Sequence, residues 1–279
     1  MGILYMIKLC LALLCIVNLI ACSSHQVIER PYAMIQPESM MQKGLQVYQQ
    51  DDYLQAHQFF TQALVLYQSI DDEVGQKQAK FNLIKANLAI HRFKQVDTVL
   101  NSVEETNNAE WSLLKANVLF AKGQYKQAFQ AIASDLLDVK TQVLITSKQR
   151  NQLFIQTKFA LFADAKESSV FYQRLKQEQP VFTIAQQALF KRLDAHYHRQ
   201  QGQPEQALEL MSMALTLYKS QANRRAIANC LEELATLYQL QHQPNKAKSL
   251  LKRAFIIRKW LKDDYKMAAL QLKLKALQD

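Results

Sequence analysis

Glycine and proline are scarce in this chain, with only five of each among 279 residues. β-Sandwiches and barrels need many tight turns, and these two residues supply much of the special backbone geometry of such turns. Their scarcity argues against those all-β folds and favours long helices. The hydrophobic fraction of 49% and the charged fraction of 21% are typical of a chain that folds around a core.

The sequence also lacks the short motifs that announce common catalytic sites. It contains no glycine-rich phosphate loop, no Gly-x-Ser-x-Gly elbow, no His-Glu-x-x-His motif and no Cys-x-x-Cys pair. Asp194, His196 and His198 lie close together, but histidines two positions apart point to different sides of a helix. A metal site there would need ligands from elsewhere, so we expect no enzyme activity, no metal, no cofactor and no small-molecule substrate.

An apolar segment near the N-terminus has the layout of an export signal. Lys8 precedes the run from Leu9 to Ala21, which only Asn18 interrupts. The run is too short for a spanning helix with proper flanks, whereas it suits a secretory signal peptide. We therefore predict that residues 1–21 are a signal peptide that is removed.

The four residues Leu19-Ile20-Ala21-Cys22 resemble the bacterial lipobox. The resemblance implies cleavage before Cys22 and acylation of that cysteine, and Ser23 is similar to the class sorted to the outer membrane of Gram-negative bacteria. Two or three acyl chains make a stable anchor, whereas one chain would be marginal. We expect a lipid anchor on the periplasmic side of the outer membrane and a flexible tether over residues 22–36. The alternatives are an ordinary secretory signal and a retained signal anchor.

Cysteine usage agrees with this interpretation. Cys10 and Cys15 would leave with the signal peptide, and Cys22 would carry lipid. Cys230 then remains as a free thiol in an apolar run, where we predict that it is buried. No disulfide framework is available, so the stability must come from packed helices.

A pattern of small and aliphatic residues repeats along the chain. Each set has the spacing i, i+4, i+7, which lies on one face of a helix. The leading residues are 40, 32, 40, 39 and 40 positions apart, which indicates one repeated unit. The sets are Ala56/Phe60/Ala63, Val96/Leu100/Val103, Ala128/Ile132, Ser168/Tyr172/Leu175, Ala207/Met211/Ala214 and Ala247/Leu251/Ala254.

The turn before these helices carries a more specific resemblance. The residues Gly123-Gln124-Tyr125, followed by Ala128, are similar to the turn and second helix of the tetratricopeptide repeat. Ala116, Ala195 and Ala235 match the small position of its first helix. The resemblance implies an all-α solenoid of about six helix pairs over residues 37–279, with a C-terminal capping helix. The period near 40 is longer than the usual 34, and the second and fourth units are degenerate.

The resemblance also implies a concave groove lined by first-helix residues. The groove would run from apolar to basic, which suits a peptide with an apolar end and a carboxylate-bearing end. Its polar candidates for partner binding are Lys85, Asn117, Arg150, Arg192, His196 and Arg199.

Positive charge is concentrated at the C-terminal end. Residues 244–279 hold ten Lys or Arg against three Asp, out of a net charge of +10. Lys252, Arg253 and Lys259 are the candidates for a basic surface, and Arg258 belongs to the same run. Because an exported protein does not meet nucleic acid, we expect either anionic envelope material or an acidic partner. The alternative is a solvated face that maintains solubility.

Together these observations predict a membrane-anchored scaffold that binds protein partners in the cell envelope. Within that class the sequence leaves two roles open: a pilotin-like assembly factor for an envelope machine, or an adaptor for cell-wall enzymes. A structural tether that contacts anionic envelope material through the basic C-terminal helices is the second hypothesis.

Overall fold

The computed structural model describes residues 31–103, 109–132 and 146–277. Within these residues the chain forms thirteen α-helices, one short 3₁₀ helix at Gln179–Val181 and no strand. The predicted signal peptide, Cys22, part of the predicted tether and the connection at 133–145 lie outside the described residues. The helices are α1 (Tyr32–Gln49), α2 (Tyr53–Ser69), α3 (Glu73–Ala89), α4 (Phe93–Asn101), α5 (Ala109–Ala121), α6 (Tyr125–Gln130), α7 (Ser147–Ala163), α8 (Ser168–Gln177), α9 (Ile184–Gln200), α10 (Pro204–Ser220), α11 (Arg224–Leu240), α12 (Pro244–Trp260) and α13 (Asp264–Lys275).

The helices form six consecutive pairs followed by α13, which confirms the predicted all-α solenoid of tetratricopeptide-like pairs. In each pair the second helix packs against the first, and α13 packs against α12. The described order of elements therefore matches a solenoid, in which each unit contacts its neighbours in the chain.

A 20-residue unit explains why the period is 40 rather than 34. Helices α2, α3, α10, α11 and α12 are each 17 residues long and are separated by three-residue turns. Each of these turns contains one residue with a positive φ angle, which reverses the chain direction. The residues in this conformation are Asp51, Asp71 and His91 in the first repeats and Gly202, Ala222, His242 and Lys262 in the last.

Four of the helices begin with a side-chain cap at the residue directly after the reversal. The side chains of Asp52, Asp72, Asn223 and Asp263 each accept a hydrogen bond from the backbone N–H three positions later. This contact satisfies one of the free donors at a helix N-terminus. Helices α10 and α12 have no such cap and begin with a proline instead.

Small residues allow the paired helices to approach closely. Ala56 and Ala63 are fully buried on either side of Phe60, and Ala116, Ala195 and Ala235 are buried to a similar degree. A Cβ atom at Gly44 would overlap the ring of Phe60. The buried positions confirm the first, fifth and sixth helical sets, whereas Leu100, Val103 and Ser168 of the second and fourth sets are only partly buried. Cys230 is a buried free thiol, as predicted.

Helix α1 begins at Tyr32, five residues before the predicted start of the solenoid. The helix runs through Pro37, whose ring lies in its second turn and is buried. A proline there leaves one backbone carbonyl without its helical partner. Burial of the ring and of Met41 against the first core cluster offsets that cost.

Candidate functional site: a central cavity

The solenoid curves until its first and last repeats touch, and the space between them is a cavity of about 560 Å³ that is open to solvent. The first helices of the pairs, α1, α3, α5, α7, α9 and α11, all contribute to its wall, together with parts of α6, α12 and α13. The N-terminal half of the wall is mainly aromatic and aliphatic, whereas the C-terminal half is mainly charged. Pockets of this size accommodate compact ligands or short chain segments.

We call the contact between the two ends of the solenoid the seam. One part of the seam is an aromatic and ionic cluster around His91. The Nδ1 atom of His91 lies 3.0 Å from Oδ1 of Asp263. The His91 ring stacks on Tyr265 at 5.1 Å, and Tyr265 meets Phe93 edge to face at 5.5 Å. Asp263 is buried, so the turn before α13 is fixed against the turn after α3.

Arg225 forms the second part of the seam. Its guanidinium lies 4.3 Å above the ring of Tyr53 and donates a hydrogen bond of 2.6 Å to the carbonyl of Ala89. Two longer ion pairs flank this contact, Arg224 with Asp51 at 3.8 Å and Lys262 with Asp52 at 3.6 Å. Because these pairs are partly exposed, each contributes little stability by itself.

An ion-pair cluster holds α9 against α11 at the cavity wall. The Nε–H of Arg192 is shared between the two carboxylate oxygens of Glu233, at 3.1 and 3.0 Å, and Nη2 also donates to Oε1. Nε2 of His196 lies 3.2 Å from Oε2 of the same carboxylate. Burial alone would raise the pKa of Glu233, but Arg192 and His196 hold it well below its ordinary value. Arg192 is therefore engaged within the protein.

Arg258 forms a second cluster, on α12. Its side chain is 1% exposed and donates to Glu232 at 2.9 Å and to Asp263 at 3.4 Å. The sequence placed this residue in the basic run of the C-terminal repeat, whereas the structure places it inside the ring. The reason is that Glu232 and Asp263 provide two carboxylates for one buried guanidinium, which offsets the cost of burying its charge.

The lysines of the cavity have a different environment. Nζ of Lys158 lies 4.1 Å from the centre of the Phe120 ring, and Nζ of Lys85 lies 5.5 Å from the rings of Tyr48 and Phe81. Among the described residues neither ammonium group has a carboxylate within ion-pair distance. Burial and the nearby Arg192 lower the pKa of Lys158 to about 8. The cavity thus contains two cations that lie against aromatic faces, and the charge of Glu233 also stabilises the ammonium group of Lys158.

The structure brings some of the predicted groove residues together and separates others. Lys85, Asn117 and Arg192 line the cavity, while His196 is buried behind Glu233. Arg150 lies near the start of α7, where its Nε pairs with Glu178 at 3.2 Å. Arg199 is exposed in the last turn of α9, two turns beyond Arg192.

Several residues that line the cavity were not among the groove residues predicted from the sequence. Lys158 and Phe162 line the cavity from α7, where the repeat pattern pointed to residues about two turns earlier. No recognisable turn motif precedes α7 in the sequence. The register of the repeat therefore could not show which residues of this helix line the cavity. Arg225 and Lys273 were missed because their positions depend on closure of the ring, which no local pattern encodes.

The predicted basic surface lies on the outside of the ring. Lys252, Arg253 and Lys259 are all exposed side chains of α12. They share the helix with Arg258, which faces the interior instead. The exposed residues are available to a partner outside the cavity.

The cluster around Asp194 is satisfied within the fold. Asp194 accepts a hydrogen bond of 2.6 Å from the Tyr172 hydroxyl, and Nε2 of His198 lies 3.2 Å from the same oxygen atom. Over residues 31–103, 109–132 and 146–277, no group of three His, Cys, Asp or Glu side chains is arranged to hold a metal ion. None of the helices in these ranges is long and apolar enough to cross a membrane.

Comparison with known proteins agrees with the helical repeat. Residues 195–259 match the family model of the tetratricopeptide repeat, which covers the last six residues of α9, all of α10 and α11, and most of α12. A search of curated proteins found no match. The matched segment includes Ala195 and Ala235, the small positions on which the sequence resemblance depends. The match supports a tetratricopeptide-repeat protein.

Proposed function

We propose that this protein is a membrane-anchored, periplasm-facing scaffold that binds protein partners in an envelope complex. The tetratricopeptide match and the all-α solenoid support a protein–protein interaction scaffold, and folds of this kind are typically not catalytic. The lipobox-like residues before Cys22 support the anchor and the location in the outer membrane.

One observation supports a particular kind of partner. Counted over the described residues, the cavity wall carries seven Lys or Arg side chains and only two carboxylates, Glu232 and Glu233. Both carboxylates are already paired with arginines of the wall. The remaining positive charge attracts acidic groups, and the aromatic half of the wall provides apolar contact area. A short acidic chain segment with an apolar end fits both halves.

Closure of the ring limits how such a segment can enter. A long helix cannot lie along an open groove, because the seam joins the two ends of the solenoid. The partner therefore presents a chain end or a short loop, or the seam opens to admit it. A pilotin-like assembly factor or an adaptor for cell-wall enzymes would both use such a contact.

The experiment is crosslinking in cells followed by capture of the full-length, lipidated protein and mass spectrometry. Lys85→Gln with Lys158→Gln tests the cavity, because neither lysine is needed to balance a carboxylate. Arg199→Gln is the matched control, since it removes a positive charge from α9 outside the cavity. Loss of a partner in the double variant and its retention in the control support the proposal. Equal capture from both variants contradicts it.

The second candidate is a structural tether to anionic envelope material through the C-terminal helices. The observation that favours it is the exposure of Lys252, Arg253 and Lys259 on one helix. Reversal of these three charges would weaken such a tether and leave binding in the cavity intact. The lysine variants of the cavity would have the opposite effect.

A further inference from the structure

The outer face of α12 combines exposed cations with exposed apolar side chains. Ile256 and Trp260 are 68% and 55% exposed, although large apolar side chains are usually buried. Single exposed apolar residues are common and need no explanation. Here the two residues lie one turn apart on the same helix as Lys252, Arg253 and Lys259, and their arrangement is informative.

Helix geometry places all five residues on one side of α12. At about 100° per residue, they fall within an arc of roughly 120°. Around this arc the order is Lys259, Lys252, Ile256, Trp260 and Arg253. The apolar pair therefore lies between lysines on one side and an arginine on the other.

Helix α12 itself adds no negative charge to this face. Helix α12 contains six Lys or Arg residues and no Asp or Glu. The guanidinium of Arg224, which also pairs with Asp51 at 3.8 Å, lies 4.0 Å above the Trp260 ring at the edge of this face. Among the described residues none of Lys252, Arg253 and Lys259 forms an ion pair, so their charges are available to an external anionic surface.

We propose that this face of α12 docks on an anionic lipid bilayer, with Ile256 and Trp260 in the interfacial region and the flanking cations on lipid headgroups. The inference deepens the second candidate function by naming its anionic material. Tryptophan is well suited to the interface because its ring is apolar and its N–H is polar. A surface of this composition, apolar at its centre and basic at its edges, suits a membrane surface better than an acidic protein groove.

The sizes of the contributions make the proposal testable. Each Lys or Arg beside an anionic membrane strengthens binding by roughly fivefold. Replacing Lys252, Arg253 and Lys259 with Gln should weaken docking on the order of 100-fold. Because headgroup contacts are electrostatic, docking should also weaken when salt shortens the Debye length from about 10 Å at 0.1 M to about 3 Å at 1 M.

The experiment uses Trp260 as its own reporter. The chain has two tryptophans, and Trp111 packs edge to face on Phe81. Trp111→Phe keeps an aromatic ring there and leaves Trp260 as the only tryptophan. The full-length chain in this background is bound to vesicles of phosphatidylglycerol or phosphatidylcholine, with or without bromine on the acyl chains. Brominated chains quench only tryptophans that contact the bilayer.

Docking predicts a blue shift of Trp260 emission, and loss of emission on brominated phosphatidylglycerol. Phosphatidylcholine vesicles and the triple Gln variant should give little quenching. Flotation of the vesicles measures attachment of the whole protein separately. A protein that floats with phosphatidylglycerol vesicles while Trp260 stays unquenched overturns the proposal. The proposal is equally overturned if a soluble acidic polypeptide shifts the emission and the vesicles do not.

A second variant separates the apolar contribution from charge. Ile256→Ser removes apolar area at a 68% exposed position and should leave the fold intact. Docking predicts reduced quenching with an unchanged salt dependence. An unaltered response would mean that the cations act without insertion, which contradicts the interfacial placement of Ile256. If the charge variants had no effect on tethering in cells while Trp260 was still quenched in vitro, the second candidate function would be rejected. The proposal that α12 contacts the bilayer would still hold.

Discussion

His91 and Asp263 lie 172 positions apart in the sequence, yet their side chains meet at 3.0 Å and join the third helix to the thirteenth. Asp263 also caps α13 through the N–H of Lys266 and accepts a hydrogen bond from Arg258. The buried carboxylate of Asp263 thus links the start of α13, Arg258 of the cavity wall and His91 of the seam. This arrangement couples closure of the ring to the geometry of the cavity.

Removing the aromatic contacts of the seam should open the ring without unfolding its repeats. We expect His91→Ala with Tyr265→Ala to increase the radius of gyration measured by small-angle X-ray scattering. Helicity by circular dichroism should remain close to that of the wild type. The stability loss should combine the aromatic contacts, each about 0.5–1.5 kcal/mol beyond its buried area, with the hydrogen bond of His91 to the buried Asp263.

Tyr32→Ala is the control for this experiment, because Tyr32 is 74% exposed at the start of α1 and lies away from the seam. It should leave the radius of gyration unchanged. A double variant as compact as the wild type would show that the seam does not depend on the aromatic cluster.

Acid should weaken the seam through Asp263. Burial opposes ionisation, but the hydrogen bond with His91 and the charge of Arg258 place its pKa below the ordinary value. Above pH 4 both the folded and the unfolded carboxyl groups are ionised, so the contribution to stability is complete. As the pH falls below about 4, the unfolded chain takes up the proton first, and this stability is lost.

Urea denaturation between pH 2.5 and pH 6 measures this effect. Asp263→Asn should reduce the slope of unfolding free energy against pH, while asparagine still caps α13. Part of the slope should remain, because the pKa of Glu233 is also depressed. Identical slopes in both proteins would exclude Asp263 as a source of acid sensitivity.

The repeats and their core were predictable from the sequence because both depend on local spacing. Buried Ala207, Met211 and Ala214 show the i, i+4, i+7 pattern directly. Closure of the ring was not predictable, because it results from small rotations summed over six repeats. The contact of His91 with Asp263 involves turn residues that look like ordinary surface positions in the sequence.

The local backbone conformation predicts opposite effects at two neighbouring turns. Gly202 and Ala222 occupy equivalent positions, with φ angles of 73° and 50°. At such a φ angle, a residue with a side chain is less stable than glycine by about 1–2 kcal/mol. The greater conformational freedom of glycine in the unfolded chain offsets part of this difference. Gly202→Ala should lower the unfolding free energy by about 0.5–1 kcal/mol. Ala222→Gly should raise it by a similar amount.

Chemical denaturation of the two variants tests this pair, and each serves as the control for the other. A Cβ atom at Gly202 would meet no other atom within 4 Å, so packing does not complicate the comparison. Changes of the same sign in both variants would contradict a conformational origin.

Cys22→Ser tests the lipid anchor predicted from the sequence. A serine cannot accept the thioether-linked lipid, so we expect a smaller fraction of the protein in the membrane pellet and more in the soluble periplasmic fraction. Ser23→Ala is a matched control that preserves the cysteine. Retention of the Cys22→Ser protein in membranes would contradict this expected release; it would count against the lipid anchor or point to a retained N-terminal segment.

Lys158→Met should stabilise the protein at neutral pH. The ammonium group is partly buried over Phe120, and its pKa is lowered to about 8, so its charge opposes folding. Methionine keeps an unbranched apolar chain in the same space. We expect a gain of about 1.4 kcal/mol, the equivalent of one pKa unit, after allowing for solvent screening and the lost cation–π contact.

The gain should depend on pH in a defined direction. Below pH 8 lysine is charged in both states, so the wild type bears the full cost of burying the charge. Between pH 8 and about 10.4 the unfolded chain binds more protons, and the stability of the wild type therefore rises with pH. The advantage of Lys158→Met should shrink across this window in urea titrations at pH 7 and pH 10.

Lys115→Met, at an exposed position on the neighbouring α5, should show neither the gain nor its pH dependence. A constant advantage at both pH values would mean that packing, rather than the buried charge, determines the effect.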